Sequence, residues 1–299
     1  MSRSLVLRKG LRWGTALAVL WLALLGGVAS EGASPHRGVP REQCFPTELL
    51  PPPLRLKSEE LLLKALDNEA LYSFIGGLKP MSTFIEFRIP LDDLDLAPLE
   101  ETRRALTVWK CGEDLYADVH HFAEPHQGRL YAEAAVWNRR LLSDLILRHH
   151  PFFTRFGITP SAHPMEVVMA IEYHRGVDRL KGYGYLYGYP DYAVEFFAAA
   201  EAEKMRSHRS VERDIVSIPT YARPAGAFAW AVPVGHRENG ADRDIRERAG
   251  AILEEYRARR KAYIGPGRPG VVALLRDWFD DGEGRCSPRN AKVMSYARR

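Results

Sequence analysis

The chain has 299 residues, 46% of them hydrophobic and 27% charged, which suits a globular core large enough for one substantial domain. Its formal charge of +4 resides in the amino terminus: Arg3, Arg8, Lys9 and Arg12 carry four positive charges, and the first 30 residues hold no acid. Without that segment the charge falls to about zero, which excludes a global basic field of the kind that draws in nucleic acid or an anionic membrane.

In chain order, the basic head is followed by an apolar run from Trp13 to Val28 and by the small residues Val28-Ala29-Ser30. The pattern predicts a secretory signal over 1–30, cleaved near Ser30, and a secreted or periplasmic bacterial protein. An uncleaved anchor is the alternative, but a run of about 16 apolar residues is short of the roughly 20 a spanning helix needs, so no stable membrane span is expected after cleavage. Residues 31–57, rich in Pro, Gly and Ser with PPP at 51–53, read as a linker or strap. Ser58 reads as the cap of a first helix, broken near Asp67-Asn68 and ended by Gly76-Gly77.

Thr83 to Ile89 predicts a strand and Ala97 to Val108 a helix. Asp114 to Phe122 and Arg129 to Trp137 alternate on either side of a five-residue loop, which predicts an antiparallel hairpin. Asn138 to His150 and Pro164 to Arg175 return to helical periodicity, the latter with His163 as cap and Pro164 in its first turn. The stretch Arg179 to Phe197 then packs five tyrosines, three glycines and a proline into a junction between helices. Tyr183, Tyr185, Tyr187 and Tyr189 alternate as in a strand, yet Val177, Leu180 and Gly184 fall three to four apart; the helical reading of 177–187 is preferred, with glycines that let helices approach closely. A helix from Tyr192 to about His208, strands at Asp214–Pro219 and Phe228–Val234, and a long helix capped by Asn239 complete a single α+β domain over 58–263, built on an antiparallel sheet of four to five strands. A tail over 264–299 carries one amphipathic segment, Gly270 to Phe279.

Four segments resemble, in order, those of an uncharacterised family of small bacterial proteins found mostly in clostridia. GGLKPMSTF (76–84) is similar to its GxKPxSLF, RLYAEAAVWNRRLLSDL to its strand-then-helix stretch, GYLYGYPDYAVEFF to its GLFLGYPxxDVxxF, and FAWAV with EEYRARRKAY to its WKVYG-to-terminal-helix segment. The resemblance spans about 70–263 and implies an α+β fold; the family has no established activity to carry over. Its usual His-Glu pair is replaced here by Lys181 and Gly182.

Three cysteines, Cys44, Cys111 and Cys286, allow one internal disulfide among three pairings in an exported chain. Ten histidines raise a metal hypothesis that geometry trims. Glu172 and His174 lie about 200° apart on a helix, adjacent His120 and His121 point to opposite faces of a strand, His149-His150 closes a helix, and His126 sits in a loop. What survives is Glu166 with His174, joined by one of the strand histidines, His120 or His121, if the fold brings it near, and Glu166 also fits the reciprocal position of a capping box with His163. No metal or cofactor is expected. Glu172 stands out because it falls inside the apolar sector Val167, Ile171, Val168, Met165 and Met169, where a carboxylate must be paired, protonated or at a cleft. Glu201 falls likewise between Val194 and Phe197, with His208 seven residues on. Two such acids on helices flanking one turn could face each other as general acid and base, or each could pair with an arginine. Nucleophile elbows and phosphate-binding glycine loops are missing from the sequence. The expectation is a non-catalytic binding or envelope-associated module, with Tyr183, Tyr185, Tyr187 and Tyr189 as a binding surface; the alternative is an exported hydrolase-like enzyme using Glu172 and Glu201 with a histidine. A cleft holding both acids without arginine would favour the enzyme, and an arginine on each acid the module.

Overall fold

The structure, a computed structural model, describes residues 38–291. The expected signal over 1–30 lies outside the described residues.

The described chain opens as a strap that is part of the core. Strand β1 (Val39–Pro40) pairs antiparallel with Arg285–Cys286 from the other end of the domain. Cys44 and Phe45 are fully buried, and Arg276 donates to the carbonyls of Cys44 and Phe45. Helix α1 spans Pro52–Asp67, capped at Pro51 and so starting seven residues earlier than a cap at Ser58 would place it. The prolines fit the first turn because their missing N–H groups need no intrahelical partner there. Ser58 is therefore no cap. It is buried in mid-helix, where its hydroxyl donates to the Ala105 carbonyl at 2.8 Å and accepts from Trp109 Nε1 at 3.0 Å.

After α2 (Leu71–Phe74) comes the central sheet: β2 (Met81–Pro90), then α3 (Ala97–Leu106), then the hairpin β3 (Leu115–His121) and β4 (Arg129–Asn138). The strands lie antiparallel in the order β2-β4-β3, with a register shift between Thr83 and Ile85. The expected hairpin forms, Leu115 opposite Asn138 and His121 opposite Ala132. Alternation splits the sheet between two cores. Ala132, Ala134 and Val136 of β4 and Leu115, Ala117 and Val119 of β3 face the first core; Ala135 and Trp137 face the second.

The second core is closed by helices. Asn138 caps α4 (Arg139–Arg148) by accepting from the Leu141 N–H, and α5 (His150–Phe153), α6 (Pro164–Glu172), α7 (Val177–Leu186) and α8 (Asp191–Ser207) follow. The tyrosine junction is thus helical up to Leu186. Its glycines sit at contacts: a Cβ on Gly182 would lie 2.6 Å from Ile171 Cγ2 in α6, and one on Gly184 would lie 2.9 Å from Val194 Cγ2 in α8. Side chains there would force the helices apart.

The fold is α+β, but its strands do not form one sheet of four to five. Among the described residues, strands β5 (Arg213–Ile218) and β6 (Phe228–Pro233) pair only with each other, and the core-facing Phe228, Trp230 and Val232 of β6 join the first core. That core also takes Ile252 and Tyr256 of α9 (Gly240–Tyr263) and Leu274, Leu275, Trp278 and Phe279 of α10 (Val271–Phe279). The expected tail is accordingly part of the packed fold as far as β7 (Arg285–Cys286), since the apolar face of α10 must be covered. Of the three possible disulfides, Cys44–Cys111 is formed, and Cys286 is buried and free. Among the described residues no helix is long and apolar enough to cross a membrane.

Candidate functional site

Helix α6 is fixed at both ends. At its start the His163 ring accepts from the Met165 N–H while Glu166 accepts from the His163 N–H, so Glu166 acts as half of a capping box. At its end sits Glu172, only 3% exposed, because the same stripe buries Val167, Val168 and Ile171. The turn at Gly176, whose φ of 74° suits glycine, reverses the chain into α7 and brings back Arg179 and Tyr183, four apart and so on one face.

These residues saturate Glu172. Arg179 donates through Nε to Oε2 at 2.9 Å and through Nη2 to Oε1 at 3.0 Å; Tyr183 OH donates to Oε2 at 2.6 Å, and the Ala123 N–H at the end of β3 donates to Oε1 at 2.9 Å. Burial works against the charge of Arg179, but the bond and charge of Glu172 outweigh it and hold the guanidinium above its ordinary pKa. Burial, reinforced by the carboxylate, pushes the Tyr183 phenol well up, so it acts as a donor.

Beside this cluster opens a cleft of about 810 Å³, lined among others by Glu86, Phe122, Tyr131, Glu172, Tyr173 and Arg179. Of the sheet residues, Glu86 of β2 lines the cleft; beside it in the sheet, and buried away from the cleft lining, Glu133 of β4 lies opposite Glu86 on one flank and opposite His120 of β3 on the other. His120 is fully buried against Phe122 and Trp137, its Nε2 3.8 Å from Glu133 Oε2. Among the described residues, both ring nitrogens and Glu133 Oε2 have no hydrogen-bond partner. Burial, with the charges of Glu86, Glu172 and Glu69, pushes the Glu133 carboxyl up to about 7, although a hydrogen bond from Tyr187 opposes this. Burial likewise pulls His120 down to about 4, so its ring is neutral.

The other sequence candidates lie elsewhere or have settled roles. Glu201 accepts from Arg213 Nη2 at 2.9 Å and lies 3.6 Å from Lys204 Nζ. The two acids therefore do not face each other as one pair: each meets its own arginine, and among the described residues no hydrogen bond or ion pair joins them. His208 ends α8 in a left-handed conformation. The four tyrosines do not present an open platform. Tyr183 and Tyr185 are buried, Tyr185 OH donates to Glu195, and the Tyr183, Tyr187 and Tyr189 rings run one to the next at 5.9 and 5.8 Å and on to Phe228. That spacing makes them a packed spine. His126 and His174 reach the cleft wall, but among the described residues no group of three or more His, Cys, Asp or Glu is placed to hold a metal ion.

Sequence reasoning left Glu86, Glu133 and Arg179 unmarked. A signal for Glu133 existed: Tyr131, Glu133, Ala135 and Trp137 share one strand face, and an acid among residues bound for a core is as conspicuous as Glu172 on its helix. Compared with known proteins, the chain matches no family model, no curated protein and no solved structure.

Proposed function

We propose that the chain is an exported, non-catalytic binding module that holds a small polar ligand in the cleft between α6–α7 and the sheet. The observation that carries this reading is the arginine on each suspect acid. Glu172, gripped by two guanidinium bonds, a phenol and a backbone N–H, has no lone pair left to take a proton from substrate, and Glu201 is tied to Arg213. The cleft offers what small-ligand sites commonly offer, aromatic walls with a few convergent polar groups. Export is supported by the basic head and apolar run, and by the Cys44–Cys111 disulfide, a bond that persists in oxidising compartments. The resemblance to the clostridial family adds a proposed distant kinship and no activity.

A melting screen of the mature protein against sugars, amino acids and small amines tests the reading. We expect one class to raise the Tm of the parent and to lose that effect in Tyr131→Ala. Hydrolysis of simple ester or glycoside substrates that disappears in Glu172→Gln, with the fold intact, would restore the enzyme reading instead.

A further inference from the structure

The acids and arginines that line the cleft divide into engaged and unengaged groups. Glu172 and Arg179 hold each other, and Glu86 is paired with Arg88. Glu124, in the loop after β3, and Arg175, in the turn between α6 and α7, are exposed, and among the described residues neither side chain makes a hydrogen bond or an ion pair. One anion and one cation are thus left over on neighbouring segments. The Ala123 N–H bond to Glu172 Oε1 at 2.9 Å holds those segments together, one residue before Glu124 and three before Arg175. Arg179 adds donors that are already oriented: Nε and Nη2 bind Glu172, whereas Nη1 makes no hydrogen bond among the described residues, and the side chain keeps 33% exposure at the cleft wall.

We infer that the ligand of this cleft is a zwitterion of the amino-acid type with an apolar side chain, its carboxylate on Arg175 and Arg179 Nη1 and its ammonium on Glu124. This rests on the binding reading and names its ligand class. The carboxylate has two kinds of support. Arg175 supplies the net charge, since that of Arg179 is balanced by Glu172, and Arg179 supplies N–H groups whose orientation is fixed before the ligand arrives. The ammonium answers Glu124. A ligand with a carboxylate alone would leave Glu124 unbalanced, and one with an ammonium alone would leave Arg175 so, whereas a free amino acid carries both charges close together and joins two groups that do not pair with each other. The side chain follows from the rest of the lining. Phe122, Tyr131, Leu180 and Met205 present rings and aliphatic surface that favour burial of an apolar group, and about 810 Å³ is ample for such a molecule.

The experiment is titration calorimetry of the mature parent with phenylalanine, which carries both charges, with N-acetylphenylalanine, which keeps only the carboxylate, and with phenethylamine, which keeps only the ammonium; glucose and inorganic phosphate are run alongside. Phenylalanine is expected to bind about tenfold or more tighter than either single-charge analogue, and to weaken by about tenfold in both Arg175→Gln and Glu124→Gln. N-acetylphenylalanine should weaken in Arg175→Gln alone. Both positions are exposed, so both variants are expected to fold; were one not to, the comparison of the three ligands on the parent still decides. Either analogue binding as tightly as phenylalanine overturns the zwitterion inference, and so does phenylalanine binding that neither variant alters. Glucose or phosphate binding where phenylalanine does not overturns it as well and leaves the binding reading standing. Failure of every probe on a folded parent counts against both.

Discussion

Glu133 and His120 are displaced from their ordinary pKa values in opposite directions, and the signs separate in a pH series. Glu133 rises to about 7, through burial first and then the charges of Glu86, Glu172 and Glu69. The folded state therefore holds that proton more tightly than the unfolded chain; the contribution is complete below about 4.5 and is lost as pH climbs towards 7. His120 falls to about 4 through burial, helped by His121 and opposed by Glu172 and Asp118, so its contribution is complete above about 6.5 and is lost as pH drops towards 4. Between these limits the two offset each other in the parent. From pH 6.5 to 4.5, Glu133→Gln should leave a protein that loses about 2–3 kcal/mol and His120→Gln one that gains a similar amount, at ~1.4 kcal/mol per unit; parallel Tm curves for the two variants would contradict both assignments. Glu172 makes a second prediction at this scale. In Glu172→Gln one amide oxygen can still accept, but the amide NH2 would face donors, so stability should fall by about 2–3 kcal/mol, moderated because the Arg179 side chain is 33% exposed. Urea melts of the parent and the variant measure this, and a difference under ~0.5 kcal/mol would show that the pair contributes nothing. Burial of Glu172 was legible because a helix with a defined cap fixes which sector is apolar. Arg179 was not, because it lies across a turn whose geometry depends on Gly176 adopting positive φ.

Elements were most legible where local chemistry alone decides them. The β3–β4 hairpin follows from alternation about a short loop, and the capping boxes of α6 and α9 follow from a cap residue with an acid three positions on. The start of α1 was not legible, because proline in a first turn and proline in a strap look alike until tertiary contacts bury Ser58. Nor could alternation say that both faces of the central sheet would be covered, which is why Glu133 drew no attention. The α7 glycines tie sequence to packing most directly. In Gly182→Ala the new Cβ would meet three side-chain atoms of Ile171 at 2.6 to 3.0 Å, and Ile171 is itself fully buried in the second core. Helix propensity favours alanine by up to ~1 kcal/mol, whereas overpacking costs about 1–3 kcal/mol, so a net loss is expected. Relief of that loss in Gly182→Ala/Ile171→Val would identify the contact as its cause. A Gly182→Ala protein more stable than the parent would mean that α6 and α7 separate freely.

On the scale of the whole molecule, the described chain returns on itself: the strap around Cys44 and the segment around Cys286 come from opposite ends and meet as β1 and β7. Composition and periodicity could not reveal this, since a proline-rich opening and a polar ending both resemble linkers when their partners are a chain length away. The strap is held by covalent and noncovalent means. Phe45 donates its N–H to the Lys110 carbonyl at 2.8 Å and packs its ring 5.7 Å from Phe74 and 6.2 Å from Phe279, while Arg276 gathers the strap carbonyls. Next to those contacts the Cys44–Cys111 disulfide closes a loop across 67 positions. A loop of that size restricts the unfolded chain by about 4 kcal/mol in the chain-entropy account, of which native disulfides commonly deliver about 2–4. The noncovalent contacts should keep the Cys44→Ser/Cys111→Ser protein folded in its present arrangement, yet with a Tm lower by about 6–12 °C for a domain of this size. Calorimetry of the double variant against the oxidised parent measures the difference. Identical melting temperatures would assign the strap wholly to its packing and its hydrogen bonds, whereas loss of cooperative unfolding would mean that neither suffices without the bond.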